Sequence, residues 1–540
     1  MRIPENDEER EFFYLDLMAK CLVSRDERLE DYRYLKNFFL FGSEPSEVSA
    51  LFNKIAPHID QLNSFLYSSE TTRFSIDIGA SVPKTEHTKV AVLTKALNDE
   101  WLNSNCDQVF SAAINWALVF NTTFVKLIVR NGVHPYMVEP GSMGVLREDK
   151  PYTERQEALV HTYYMTKSEL YNRLYSHPKR DKYIELIFTR PTEEVQPPNA
   201  VNRIITSSSQ PNITGNVNLT LESGNRYSAK VAEDTVEMRE LWVWNDETSD
   251  YQVVTIADPD VVIYDRSGES MFLKGECPFV QICPNPLFDY YWGASEVAKL
   301  IYLQMLRNKR IGEIARLLEK QVNPPKSFTG FTGITDEKAN AFNNAGSWVL
   351  SDMPGAKVDE LAPSIPEDLY KEIREIDDMF AEASGISSVL QGKGESGVRS
   401  AGHASQLARL GSSRAKKRAL IIEDSLERVA TLFLKLLQAY DNTHFTDDKG
   451  MEFIAEQFTH DFVVKVDAHS NSPIFMEDSR ELAFKLFEAK VIDRKRLIDL
   501  VDPPMKQLLK DDLDKAEKKE ADQAKQQPPK PPEAKPQKKG

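Results

Sequence analysis

The chain has 540 residues, with 67 Lys+Arg against 83 Asp+Glu, a formal net charge of −16. A protein that coats nucleic acid over its whole surface needs basic footprints, so this balance excludes a generic nucleic-acid coat and leaves only local basic patches open. Its 41% hydrophobic and 28% charged content is that of a globular chain and excludes wholesale disorder. The length predicts about three to four domains.

Cys21, Cys106, Cys277 and Cys283 are the only cysteines, too few for a disulfide scaffold and without a Cys-x-x-Cys pair. The acidic start, Met-Arg-Ile-Pro-Glu-Asn-Asp-Glu-Glu-Arg, has no apolar signal core. The most apolar stretch, Ala112 to Val129, is broken by Asn115, Asn121, Thr122, Thr123 and Lys126. A membrane span needs about 20 mostly apolar residues, so no membrane partner is expected, and the expected compartment is reducing and cytoplasmic in type.

In chain order, the first 75 residues read as helices, with Phe12, Leu15, Met18 and Leu22 on one apolar face and a turn at Gly42-Ser43-Glu44-Pro45. Residues 87–120 read as one long helix. The period then changes: Thr123 to Arg130 is β-branched, and Asn131-Gly132 turns it into a return strand, Val133 to Val138. Thr166 and Glu169 stand at capping-box spacing before another helix. Residues 192–230, rich in Ser, Asn, Pro and Thr, read as a long surface loop. Strands follow at Arg239 to Asn245, Tyr251 to Ala257 and Val261 to Tyr264, making the first half a mixed α+β body.

The second half is helix-rich. Ser295 to Val322 predicts a helix roughly 40 Å long, stopped by Asn323-Pro324-Pro325. A compact, turn-rich excursion covers residues 326–363. A helix from about Pro366 to Ala383 follows, with Leu369, Ile373, Ile376 and Phe380 on one face and Ser364 and Glu367 at capping-box spacing. Gly385 to Gly397 is a glycine-rich loop. A very long helix covers about 399–441, with Ile422, Leu426, Val429, Phe433, Leu436 and Tyr440 as its stripe. A strand at Phe462 to Val466 and helices at about 478–489, 494–501 and 504–524 precede a Pro/Lys-rich tail, 527–540, read as disordered.

Catalytic and metal-binding patterns are missing. Gly392-Lys-Gly-Glu-Ser-Gly397-Val398-Arg399 nearly matches a phosphate-binding loop, but Val398 and Arg399 stand where Lys and Ser/Thr are needed. There is no His-Glu-x-x-His, no zinc-spaced Cys/His cluster and no Gly-x-Ser-x-Gly elbow. Cys277 and Cys283 flank a strand and read as packing, and Asp377-Asp378 reads as the solvated face of an acidic helix. No enzyme activity, cofactor or metal is expected.

One charge feature does stand out. Ser396 to Ile422 contains no acid and carries +6 through Arg399, Arg409, Arg414, Lys416, Lys417 and Arg418. These cations either face phosphate or pair with acidic neighbours, within the chain or on another subunit. Residues 307–320 carry +3 and residues 366–382 carry −5, which predicts antiparallel packing of the two helices, within or between chains.

Cys277-Pro-Phe-Val-Gln-Ile-Cys-Pro-Asn-Pro286, Tyr291-Trp-Gly-Ala-Ser-Glu296, Leu303-Gln304 and Asn308 resemble the entry to the stem of the portal (head-to-tail connector) proteins of tailed bacteriophages. Ser384-Gly-Ile-Ser-Ser-Val-Leu-Gln391 and Gly402-His403-Ala-Ser-Gln406 resemble that family's passage through the tunnel loop. The order of parts is similar over roughly residues 90–530. The resemblance implies a portal-type α+β, helix-rich protomer: wing, 1–292; stem helices, 293–322 and 366–384; clip, 323–365; tunnel loop and long kinked tunnel helix, 385–441; return strand to the wing, 442–477; helical crown, 478–526. It implies a closed ring, typically a dodecamer, at the capsid vertex of the virion, assembled in the host cytoplasm. Double-stranded DNA would be packaged and ejected through it without sequence readout. Terminase, a head-tail adaptor, and the major capsid and scaffolding proteins would be partners.

Under that resemblance, Lys393, Arg399, Arg409, Arg414, Lys416, Lys417 and Arg418 are the candidates for facing DNA. Gly392, Gly394 and Gly397 would give the loop its freedom, and Gly411 would mark the helix kink. The polar stretch 192–230 is long for a wing element. Two other classes fit the same sequence: a non-ring cytoplasmic scaffold or adaptor, and a DNA-translocating enzyme.

Overall fold

The computed structural model describes residues 1–43, 53–68, 72–78, 84–188 (apart from 130, 131 and 176), 235–258, 260–263, 272–322, 324–331, 354–384, 413–440, 444–446, 452–454, 462–466 and 473–501, with isolated positions beyond them. Everything below concerns those residues. Among them no helix is long and apolar enough to cross a membrane.

The fold mixes helix and strand. Helix α1 spans Asp7–Phe41. The Asn6 side chain accepts from the Glu8 amide, and Gly42, at φ 69°, closes the helix through a bond from its amide to the Phe38 carbonyl. Its buried stripe is Tyr14, Leu17, Met18, Cys21, Arg25, Arg28, Tyr32 and Leu35; Phe12, expected on that face, is 74% exposed. After α2 (Ile55–Leu66) comes strand β1 (Phe74–Ile78), which ends the run of helices before residue 75. The helix expected over 87–120 is two, α3 (Lys84–Asn103) and α4 (Cys106–Phe120). Asn105 between them has φ 54°, a left-handed conformation that Asn tolerates and a helix does not.

Strands β2 (Thr123–Val129) and β3 (Val133–Val138) form the expected hairpin, with Val129 opposite Val133. Strand β4 is Met143–Val145, and β5, Ala158–Thr166, runs into α5 (Lys167–Arg173). Thr166 and Glu169 exchange both bonds of a capping box there. Helix α6 (Arg180–Phe188), β6 (Thr235–Asn245), β7 (Asp250–Ala257), β8 (Val261–Ile263) and β9 (Phe279–Ile282) complete the body. The segment 192–230 lies outside the described residues.

One sheet is antiparallel in the order β4-β5-β6-β7-β8, and a second has the order β3-β2-β9. Strand alternation sends Val160, Leu241 and Val243 to one face, against Leu17, Met18 and Cys21 of α1. It sends Leu159 and Trp242 to the other face, against Phe124, Phe279, Tyr291 and Trp292. Gly144 lets α1 lie directly on β4, because a Cβ there would run into the Cys21 carbonyl. Lys126 of the second sheet reaches Glu240 of the first at 2.9 Å, and Trp242 donates to the same carboxylate at 2.6 Å.

The second half follows its expected order closely. Helix α7 is Glu296–Val322, and β10 (Lys326–Thr329) pairs antiparallel with β11 (Lys357–Glu360). Helix α8 is Glu367–Ser384, and α9 is described over Ser413–Tyr440. A short pair, β12 (His444–Thr446) and β13 (Glu452–Ile454), precedes β14 (Phe462–Val466), which pairs with β1. Helices α10 (Pro473–Glu488) and α11 (Arg494–Val501) end the described fold. The largest core joins α2, α3, α4, the start of α7 and the buried stripe of α9. The glycine-rich loop, the start expected for the long helix at 399, and the helix expected at 504–524 lie outside the described residues.

Candidate functional site

The basic start of α9 and the α7–α8 hairpin are the two charged features of the sequence. Their geometry begins at the turn between β9 and α7. Gly293 has φ 70° and sits where a Cβ would fall 2.8 Å from the Asn285 carbonyl, so only glycine fits. The Ala294 amide donates to the Asn285 carbonyl at 2.9 Å, and the Asn285 side chain donates to the Ala294 carbonyl at 3.2 Å. Trp292 is buried under the Arg28 guanidinium, which lies 3.1 Å from its ring centroid, and donates to Glu148 at 2.6 Å. Ser295 then donates to the Val119 carbonyl at 2.6 Å and accepts the Ala298 amide at 3.2 Å, starting α7. The residues that suggested a stem entry are therefore the ones that fix the direction in which α7 leaves the body.

Helix α7 is pinned again about two turns later. Gln304 accepts the Lys54 amide at 3.0 Å and donates to Asn308 at 2.8 Å; Asn308 donates to the Gly42 carbonyl at 2.8 Å. Both amides are fully or nearly fully buried, and each satisfies a backbone group at the end of α1 or the start of α2. Further out, Arg307 pairs with Asp377 at 2.8 Å and Arg310 with Glu372 at 2.9 Å. Lys54 reaches Asp377 at 3.4 Å, which occupies that carboxylate. As the α7 numbers rise the α8 numbers fall, so the two helices pack antiparallel within one chain, as their opposite charges predict. Ile376 and Phe380 are the buried apolar residues of α8. The β10–β11 pair closes the arm, and the Leu361 amide bonds to the Pro325 carbonyl at 2.8 Å.

The seven basic residues divide. Lys393, Arg399 and Arg409 lie outside the described residues, as do Gly392, Gly394, Gly397 and Gly411. Arg414 and Lys417 are exposed and Lys416 is half-buried, all on the first turns of α9. Arg414 also donates to the Glu382 carbonyl at 3.2 Å. Lys417 lines an open cleft of about 630 Å³ beside Phe288, Tyr290 and Leu420.

Arg418 departs from the expectation that it faces DNA. It is 7% exposed, and it pairs with Glu296 at 2.6 Å and donates to Asn285 at 2.9 Å. The signal was in the sequence: the apolar stripe Ile422, Leu426, Val429 continues backwards through Ala419 and Ala415, both buried, and position 418 lies one turn from 415 and 422 on that side. Burial pulls the Arg418 pKa down while Glu296 raises it. Glu296, in the first turn of α7, is also favoured there by the helix dipole. His58 packs close to this pair, and burial pushes its pKa down to about 4. Arg418 thus ties the base of α9 to the base of α7, the second of the two alternatives for the basic window.

No protein-family model matches the sequence, and no curated protein matches it. Among solved structures, one similar in outline comes from a particle described as the virion of a native gene transfer agent. It matches with a TM-score of 0.43 and 10% identity over 88% of this chain and 94% of that one.

Proposed function

We propose that this chain is the protomer of a portal-type ring, the channel at a capsid vertex through which double-stranded DNA is packaged and ejected. The observation that carries the reading is the arm: α7 leaves the body, a β-pair turns the chain, α8 returns antiparallel, and α9 starts from a buried ion pair at the arm's base. That order of elements supports the reading, and it arises from residues within one chain. In this reading residues 1–292 are the wing, 293–322 and 366–384 the stem, 323–365 the clip, 385–441 the tunnel loop and helix, 442–477 the return strand to the wing, and 478–526 the crown. The ring is a dodecamer and part of the virion, and it acts without an ATPase of its own. The clip meets terminase and then a head-tail adaptor, and the outer wall meets major capsid and scaffolding proteins.

The mechanism is passive guidance. Each copy brings a charge of −16, so the walls repel phosphate rather than hold it, within a screening length of about 8 Å at physiological salt. Lys393, Arg399, Arg409, Arg414, Lys416 and Lys417 are the local exceptions, contacting the backbone without reading bases. Electron micrographs of the purified full-length chain test the reading: rings with a central hole are expected, and uniformly small particles without one contradict it. Substituting Lys393, Arg399 and Arg409 with Ala should lower DNA packaging or retention; unchanged packaging and retention would remove the contact assignment while leaving the ring.

A further inference from the structure

The arm has two outer faces, and they carry opposite charge. An α-helix repeats about every 3.6 residues, so positions three or four apart share a face. On α7, Arg307 and Ile314 turn inward, and Tyr302, Met305, Lys309 and Arg316 fall on the opposite side. Tyr302 is 73% exposed and Met305 41%. On α8, Ile376 and Phe380 turn inward, and Glu367, Glu375, Asp378 and Glu382 fall on the side away from α7. Each helix thus turns its outer stripe away from the other.

The stripes also agree in level. Arg307 lies opposite Asp377 and Arg310 opposite Glu372. Counting along both helices from these pairs, Lys309 stands beside Glu375, and Arg316 beside Glu367. Closer to the body, Tyr302 and Met305 stand beside Asp378, the half-exposed Met379 and Glu382. A rotation axis running along the arm moves each residue sideways without changing its level.

We infer that the α7 outer stripe of one copy docks on the α8 outer stripe of the next, with Lys309 meeting the neighbour's Glu375 and Arg316 its Glu367, around an apolar contact from Tyr302 and Met305 to Met379. The inference rests on the ring reading above and names the surface that closes the ring. The contact is heterologous, two different faces meeting head to tail, and such contacts generate rings when the rotation closes. Among the described residues none of Lys309, Arg316, Glu375 or Glu367 is in an ion pair, in contrast to Arg307 and Arg310 on the inner face. Lys371 on the outer side of α8 is already held by Asp368 at 3.0 Å. Lys371 and Arg374, on the same side, are the two like charges that the docked α7 must pass.

The test uses two full-length variants. Lys309→Glu with Arg316→Glu makes both outer faces acidic; Glu367→Lys with Glu375→Lys makes both basic. Neither should assemble alone by mass photometry at a concentration where the natural chain forms rings. Mixed in equal amounts they should assemble into rings in which the two variants alternate. Two results overturn the interface and leave the ring standing: either variant assembling alone as the natural chain does, or the mixture failing to assemble. A natural chain that stays monomeric at every concentration overturns the ring and the interface together.

Discussion

The body and the arm use the same kind of charge pair in opposite settings. Lys126 and Glu240 join the two sheets of the body at 2.9 Å, with both side chains only 13% exposed and three surrounding aromatic rings. Arg310 and Glu372 join the two helices of the arm at the same separation, but each is about a third exposed. A buried pair is held by the lack of water around it, and removing one partner strands the other. An exposed pair is screened by salt and adds little by itself. The difference teaches that the body is self-sufficient, while the arm, with few buried apolar residues of its own, gains its order from its root and, in the proposed ring, from its neighbours.

The root should therefore show the largest effect. Arg418→Ala leaves Glu296, 2% exposed, with only Lys299 at 2.8 Å and takes the donor from Asn285, and should lower unfolding free energy by about 3–5 kcal/mol. Denaturant titration measures it. Arg418→Met combined with Glu296→Leu should recover most of the loss, and a double variant as unstable as Arg418→Ala would mean that the pair does more than satisfy charge. Lys126→Ala should have a smaller effect, about 3 kcal/mol, because Glu240 retains the Trp242 donor at 2.6 Å and no second side chain loses its partner.

The body should also weaken in acid while the arm does not set the midpoint. Burial pushes His161 down to about 3 from an ordinary 6.5, and Lys126 with its neighbours brings Glu240 down to about 2. Both groups bind protons more readily when unfolded, as does His58, so stability falls as pH drops below about 6.5 through His161 and His58, and further below 4.5 through Glu240. His161→Phe should flatten the upper part of that decline in unfolding free energy measured against pH; an unchanged slope would remove His161 as its source.

How much of this was legible in the sequence follows from the range of the forces involved. The β2–β3 hairpin, the Thr166 capping box, α7, α8 and β14 were read at or near their observed bounds, because each is marked by its own residues: Asn131-Gly132, Thr166 and Glu169, Pro324-Pro325, and an apolar stripe. The single helix over 87–120 was not, because Asn105 takes a left-handed backbone within a helical composition. Strand β5 was missed because its place depends on pairing with β6, 69 residues later at the Thr166–Thr235 end and 85 residues later at the Ala158–Val243 end. Of the site, the opposite charges of α7 and α8 were visible and their pairing followed. The burial of Arg418 required extending the Ile422 stripe back to Ala415, and Glu296 showed no sign of being its partner.

The smallest effect should be in the arm of the isolated chain. Raising salt to about 1 M shortens the screening length to about 3 Å, so amides of α8 should exchange with deuterium faster while those of β5 to β7 are unchanged. Equal changes in both regions would erase the contrast between them. In assembled rings the salt effect on α8 should shrink, since the arm is then covered on both sides.

Imaging of the purified full-length chain by electron microscopy tests the central claim most directly. A portal-type protomer forms closed rings with a central hole wide enough for duplex DNA and arms projecting from one end. Particles that remain single chains, or assemblies without a hole at concentrations that saturate association, would contradict it.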